Sequence, residues 1–278
     1  MKRRINAGVQ DLWLGLQRVP LWRTLAWYDL RRGNTKSTIG VLWHTLSFFI
    51  VIAFLGYLYS DIMGHPQETF VPYLAAGFLV WHYINHIITA GLLVFVGNKG
   101  FITQIPMPMS VFVFRNACYD LYVLGLNFVA YLLILLVFGL EPKIELLPAL
   151  AGLLILMLTS VAVTLLLGVL SVFNLWMRNL IPSIMRLLFF VTPIIWMPQM
   201  LTGGEIASVM TQVGEVGVRA AIVLYNPFYH FVEILRSPLI GDPVATLSWV
   251  VTGLGAILLL AVAVWSMGHW RSRILLRL

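Results

Sequence analysis

The chain has 278 residues, of which 60% are hydrophobic and only 10% are charged. Soluble globular proteins carry about 25% charged residues, so this composition excludes an ordinary soluble domain and predicts an all-α membrane protein. The formal net charge is +7, but the cations lie at the ends of apolar segments, which indicates contact with anionic lipid headgroups rather than nucleic acid. The single cysteine, Cys118, excludes an internal disulfide and gives no metal-binding motif.

Residues 1–37 are predicted to form a cytoplasmic arm. The sequence begins Met1-Lys2-Arg3-Arg4, like the basic region of a signal peptide, but polar residues interrupt the next segment, so we expect no cleaved leader. Val19-Pro20 predicts a helix start and Gly33-Asn34 its end, with residues 33–37 as a hinge. We expect an interfacial amphipathic helix whose apolar face is interrupted by Asp29, and the alternative is a segment that only anchors the chain. The interfacial or gating residues are predicted to be Trp22, Arg23, Trp27, Tyr28, Arg31 and Arg32.

Six transmembrane helices are predicted in residues 38–278, which form the membrane domain. Their approximate ranges are 39–59, 71–96, 121–140, 150–172, 184–201 and 247–267. An even number of spans places both termini on one side of the membrane. Most Lys and Arg residues fall on that side, so the positive-inside rule makes the termini cytoplasmic. The two halves show no repeat, so we expect a substrate path between two copies of the chain.

The connection between the fifth and sixth spans, residues 202–246, is long and mixed in composition. Asn226-Pro227 is typical of a helix start, and Ser-Pro and Gly-Asp-Pro follow as helix breakers. We expect short re-entrant or interfacial helices packed against the protein, because irregular backbone is not tolerated in contact with lipid tails. The alternative is a surface loop.

Four sequence blocks occur in order over nearly the whole chain. They are STIGVLW (37–43), NKGFITQIP (98–106), WMRNL followed by VTPIIW (176–180 and 191–196), and Asn226-Pro227 with Arg236 and Gly241. Together they resemble motifs of permease subunits of type-2 ABC exporters, in the branch that moves O-antigen, capsular polysaccharide or teichoic acid. The chain departs from the family pattern at Gly33-Asn34, Ser47 and Asn179, where the family usually has Arg-Tyr, Pro and Asp.

The resemblance implies a homodimer in the bacterial inner membrane that exports a lipid-linked polysaccharide. It also implies that ATP and Mg²⁺ are bound by two copies of a separate nucleotide-binding subunit, since this chain has no phosphate-binding loop. We therefore expect no catalytic residue, metal or cofactor in the chain itself. The outer gate is predicted at Asn226, Pro227 and Arg236.

The loop after the second span is the predicted contact with the ATPase subunit. Its contact residues are predicted to be Asn98, Lys99, Gly100, Phe101, Ile102 and Pro106. Apolar side chains exposed on a polar loop indicate an interaction surface. The alternative is that Phe101 and Ile102 fold back into the headgroup region.

Aromatic and polar side chains are the candidates for a sugar path, because sugars combine apolar ring faces with hydroxyl groups. These candidates are Tyr57, Tyr59, Tyr73, Trp81, His82, Tyr83, Asn85, His86 and Trp196. His82, Asn85 and His86 share one helix face, which we expect to point away from lipid. Metal binding by the two histidines is an alternative that lacks further ligands. The alternative for the aromatic residues is the belt at the membrane interfaces, which suits Tyr57, Tyr59 and Trp196 best and explains Trp81 less well, because Trp81 lies nearer the middle of its span.

Other functions are compatible with these patterns. The cargo could be a lipo-oligosaccharide or a hydrophobic drug. The chain could also be a passive channel, a secondary carrier or a membrane-embedded transferase of lipid-linked glycan. The active site of a transferase would be formed by His230, Glu233, Arg236 and Asp242. A transferase would be active without ATP, whereas an exporter of this family would not.

Overall fold

A computed structural model describes residues 2–32, 39–198, 221 and 223–278, and within these ranges it contains helices and no β-strand. The α-helices are α1 (Lys2–Leu16), α2 (Val19–Arg32), α3 (Trp43–Met63), α4 (Gln67–Gly91), α5 (Lys99–Gln104), α6 (Ser110–Val137), α7 (Leu146–Phe173), α8 (Met177–Val191), α9 (Pro227–Ile240) and α10 (Thr246–Arg277). A 3₁₀ turn, Gly40–Leu42, leads into α3. The predicted hinge at 33–37 and much of the connection after residue 198 lie outside the described residues.

Four helical segments are long and apolar enough to cross a membrane. They are Gly40–Met63, Ser110–Val137, Leu146–Phe173 and Thr246–Arg277. The protein is therefore an α-helical membrane protein, and these segments correspond to the first, third, fourth and sixth predicted spans. The remaining two predicted spans are not confirmed.

Helix α4, which matches the second predicted span, is 25 residues long but is interrupted by polar side chains. It lies at the centre of the fold and contacts α3, α6, α7, α8 and α9. Because other helices surround it, its sequence does not need the apolar character of a lipid-facing helix. Its residues form much of the main hydrophobic core.

The fifth predicted span, 184–201, differs most from the structure. Helix α8 has only 15 residues and ends at Val191, just before Thr192-Pro193. At 1.5 Å per residue it is about 22 Å long, which is shorter than the roughly 30 Å hydrocarbon core. Residues 199–201 of the predicted span lie outside the described residues.

The N-terminal helix α1 was not predicted, and a buried aspartate attaches it to the membrane helices. The Asp11 carboxylate accepts hydrogen bonds from the backbone N–H of Ser110, at 2.9 Å, and of Met109, at 3.3 Å. These N–H groups lie at the start of α6, where a helix has no partners of its own for them. Arg271 of α10 pairs with the same carboxylate at 3.1 Å. Asp11 thus joins α1, α6 and α10.

Helix α9 packs inside the protein between α4, α7 and α10. Most of its residues are buried, so this part of the connection before α10 is not a surface loop. It meets α7 at Gly152, where an added Cβ would lie 2.1 Å from the Ile234 carbonyl oxygen.

Replacing Gly152 with Ala should destabilise the contact between α7 and α9. The added methyl group cannot fit without a backbone shift, and overpacking of this kind costs about 2 kcal/mol. We expect a lower thermal unfolding midpoint for the purified protein in detergent. Gly125→Ala is the matched control, since nothing lies within 4 Å of the Cβ that would be added there. Equal midpoints for the two variants would show that α9 does not pack closely on α7.

Candidate functional site

One arginine joins the N-terminal arm to the membrane helices. Arg115 of α6 donates to both carboxylate oxygens of Asp29 in α2, with one of these distances at 2.7 Å. Its remaining terminal nitrogen donates to the Asn98 side-chain oxygen at 2.9 Å. Paired hydrogen bonds of this kind fix orientation as well as distance. We call Asp29, Asn98 and Arg115 the arm junction, because together they hold α2, the start of α5 and α6 in one arrangement.

The sequence contained a signal for this junction. Asp29 interrupts the apolar face of α2, and the structure gives the reason, since the carboxylate turns toward Arg115 instead of toward lipid. Asn98 was a predicted contact residue, but its bond to Arg115 was not expected. Arg115 itself was assigned to a loop, whereas α6 begins at Ser110, well before the predicted residue 121.

A polar cavity of 340 Å³ adjoins the arm junction. Its polar lining consists of Asp29, His86, Asn98, Arg115, Asn116 and Tyr119. These side chains come from α2, α4, α6 and the segment after α4. The cavity can accommodate water or a polar group, and it brings His86 close to residues that were not predicted as site residues.

The predicted interfacial residues divide between two faces of α2. Trp22 packs toward Phe114, with ring centroids 6.1 Å apart, and the Trp27 ring meets the edge of Tyr122 at 5.8 Å. The Arg31 guanidinium lies over Trp27 at 5.0 Å. On the surface of the chain are Arg23, Trp27, Tyr28, Arg31 and Arg32. The helix therefore rests on α6 and presents aromatic and cationic side chains outward.

The predicted contact with an ATPase subunit lies on the short helix α5. Phe101 is 54% exposed, whereas Ile102 is only 7% exposed and packs into the chain's own core. Only Phe101 of this pair is available to a partner, because neighbouring residues of a helix point in different directions. Lys99, Gly100 and Pro106 are also exposed.

The predicted path residues do not surround one cavity within a single chain. Trp81 is buried against the rings of Phe189 and Phe228, at 5.8 and 5.9 Å. Tyr73 and Tyr83 are also buried. Four of the predicted path residues are partly buried, namely Tyr59, Asn85, His86 and Trp196. Tyr57 and His82 are exposed. The Trp196 indole N–H donates to the Phe190 carbonyl oxygen at 3.0 Å.

The predicted outer-gate arginine is completely buried. Arg236 donates to the Pro193 carbonyl oxygen at 2.5 Å and also pairs with Glu233. Its guanidinium lies over the Tyr73 ring at 4.0 Å. The Ser237 hydroxyl donates to the same Glu233 carboxylate. We call Tyr73, Glu233, Arg236 and Ser237 the α9 cluster, which links α4 to the segment after α8.

The other predicted residues near α9 also bind within the chain. The Asn226 side chain caps α9 by accepting from the Phe228 N–H at 3.0 Å, and its amide donates to the Thr192 hydroxyl at 2.9 Å. Pro227 occupies the first turn of α9, as predicted. Both ring nitrogens of His230 are 2.9 Å from hydrogen-bonding partners, the Ser248 hydroxyl and the Leu224 carbonyl oxygen.

A second cavity, of 600 Å³, lies beside the α9 cluster. Its aromatic and polar lining includes Tyr73, Tyr229, Glu233, Ser237, Asp242 and Ser248. Burial raises the pKa of the Asp242 carboxyl, and Glu233 raises it further against the opposing effects of Lys143 and Arg236. The neutral, hydrogen-bond-donating form of Asp242 therefore persists to a higher pH than for an ordinary aspartate.

In the part of the chain that the structure describes, no group of three or more His, Cys, Asp or Glu side chains is placed so that it could hold a metal ion. No protein-family model matches the sequence, and no curated protein is detectably similar to it.

Proposed function

We propose that this chain is the transmembrane subunit of an ATP-driven exporter. Two copies would form the channel for a lipid-linked polysaccharide of the O-antigen or capsule type, in a bacterial inner membrane with both termini cytoplasmic. ATP and Mg²⁺ would be bound by two copies of a separate nucleotide-binding subunit. The four motif blocks support this proposal, as does the membrane-embedded helical fold.

The arm junction is the observation that carries the proposal. A permease without its own ATPase needs a rigid element that passes movement from the partner into the membrane helices. Asn98 immediately precedes α5, and Arg115 binds both Asn98 and Asp29. A displacement of α5 would therefore reach α2 and α6 together.

The exposed face of α5 supplies a surface for that partner. Phe101 is 54% and Ile105 is 44% exposed, and Lys99 adds a positive charge beside them. Ile102 anchors the same helix to the core. A short helix that is fixed on one side and exposes Phe101, with Ile105 exposed just after its end, is suited to docking in a groove of a second protein.

The cavity beside the α9 cluster suits a carbohydrate cargo. Its lining combines aromatic with oxygen-bearing side chains, namely Tyr73, Tyr229, Glu233, Ser237 and Asp242. A lipo-oligosaccharide would use the same chemistry, whereas a hydrophobic drug would not need it. The transferase alternative would use the same cavity, since Glu233 and Asp242 line it, and it differs from export in predicting activity without ATP.

Capture of the partner subunit tests the proposal. The tagged chain is purified from its host in mild detergent, and co-purifying proteins are identified by mass spectrometry. We expect a stoichiometric subunit that contains a phosphate-binding loop. Phe101→Asp should reduce its recovery about tenfold or more, because an interface anchor contributes about 2 kcal/mol or more.

Phe101→Leu is the matched control and should retain the partner, since it keeps an apolar side chain at the same position. A chain that purifies alone, under conditions in which other membrane complexes survive, would contradict the proposal. Equal recovery with Phe101→Asp and Phe101→Leu would instead place the contact elsewhere on the chain.

A further inference from the structure

A carboxylate lies inside one of the membrane-crossing helices and is completely covered by protein. The Asp120 side chain in α6 has 0% exposure. It forms a hydrogen bond with Nδ1 of His86 in α4, and the Asn116 amide donates to its other oxygen at 3.3 Å. An ionised carboxylate in such a place is costly unless a positive charge or a proton accompanies it.

The surroundings of Asp120 provide no permanent positive charge. The titratable side chains around His86 and Asp120 are His82 and Tyr83 from α4 and His44 from α3. From α6, Tyr119 stacks on His86, with ring centroids 5.3 Å apart. The nearby cation, Arg115, is paired with Asp29. Among the residues that the structure describes, a proton on His86 or Asp120 is therefore the available neutralising charge.

His86 stands between two cavities of different kinds. On one side it lines the 340 Å³ cavity at the arm junction, together with Asn116 and Tyr119. On the other side it lines a small cavity of 10 Å³ with Tyr83, Asp120 and Asn127. This volume is at the lower limit for one water molecule.

Two polar atoms at the small cavity support a water molecule there. The Asn127 side-chain oxygen is buried and has no hydrogen-bond partner among the described residues. The Tyr83 hydroxyl is also buried and lies near the Ser160 hydroxyl. Buried polar groups normally have partners, either protein or ordered water. One water could bond to both groups and to the Asp120 carboxylate, which also lines this cavity.

We propose that His86 and Asp120 form a proton-binding site that is loaded from the arm-junction cavity. A hydronium ion that reaches the water of that cavity gives its proton to the His86 ring, which is hydrogen-bonded to the Asp120 carboxylate. Without the added proton, the His86–Asp120 pair carries one negative charge. With the proton bound, the pair is neutral overall. Loading therefore removes a buried charge from the contact between α4 and α6. The site does not depend on the exporter proposal, because it involves neither ATP nor a partner subunit.

Proton uptake can be measured directly on the purified full-length chain. Infrared difference spectra report the carboxyl group, and NMR of ¹⁵N-histidine-labelled protein reports the rings of the six histidines in the sequence. Between about pH 5 and about pH 9, we expect the His86 ring signal and an Asp120 carboxyl band to change with one common midpoint. Asp120→Asn should remove the carboxyl band and His86→Gln the ring signal, and in each variant the remaining group should change with a midpoint different from that of the wild-type pair.

His65→Gln is the matched control, since it removes a histidine between α3 and α4 that lies against the Phe70 ring and not at the pair, and it should leave the coupled change in place. The wild-type spectra test the proposal even where a variant does not fold. A His86–Asp120 pair that shows no spectral change over this pH range would overturn it. So would a site that responds to replacing potassium with sodium at constant pH, since a cation and not a proton would then be the ligand.

Discussion

Replacing Arg236 with Met should destabilise the protein by about 3 to 5 kcal/mol, as expected when one partner of a buried ion pair is removed. Arg236 is completely buried and compensates Glu233, whose carboxylate would otherwise be left without its cation. The Pro193 carbonyl oxygen would lose its guanidinium donor as well. A lower thermal unfolding midpoint in detergent is the measurement.

The double variant Arg236→Met with Glu233→Gln distinguishes the cost of an unpaired buried charge from the cost of altered packing. With both charges gone, the cost of an unpaired buried ion disappears, and we expect the midpoint to recover substantially. Arg236→Lys should recover less, because an ammonium group cannot reproduce the forked geometry and the contact with the Tyr73 ring. If Arg236→Met unfolds at the wild-type temperature, the α9 cluster does not stabilise the fold.

Replacing Arg115 with Met should abolish most export while leaving the partner subunit bound. The substitution disconnects α2 and α6 from the segment before α5, but it leaves the exposed face of α5 unchanged. The expected cost in stability is about 1 to 2 kcal/mol, because the Arg115 and Asp29 side chains are 21% and 28% exposed and solvent weakens the pair. Export is measured as cell-surface glycan, and partner binding by affinity capture.

Arg186→Met is the matched control for Arg115→Met. Arg186 lies on the surface of α8, and its hydrogen bond within the described ranges is a local one, to the Ser183 hydroxyl at 3.0 Å. The exchanged pair Asp29→Arg with Arg115→Asp should restore part of the export that either single change removes. Normal export by Arg115→Met would mean that the arm junction does not transmit movement.

The sequence was sufficient to predict the elements defined by long apolar runs. The first, third, fourth and sixth spans each lie within a described helix or overlap it closely, because lipid-facing helices must be apolar along their length. Asn226-Pro227 also predicted the start of α9, since the capping bond is local. These features depend on residues that are close together in the chain.

Features that depend on distant residues could not be predicted. Asp11 and Arg115 look like loop or surface residues until their partners, Ser110 and Asp29, are brought to them by the fold. The central position of α4 is likewise set by packing, whereas the end of α8 at Val191 follows from a local signal, Pro193. The sequence also could not distinguish Phe101 from Ile102, since the orientation of α5 decides which of the two is buried.

Translocation in proteoliposomes is the most direct test that ATP drives this chain. The chain and its captured partner are reconstituted together, lipid-linked polysaccharide from the host is added, and the glycan that reaches the opposite side is measured with a lectin. We predict that translocation requires ATP and Mg²⁺, and that Arg115→Met prevents it while Arg186→Met does not. Glycan movement or transfer by the chain alone, without ATP, would contradict the proposed function.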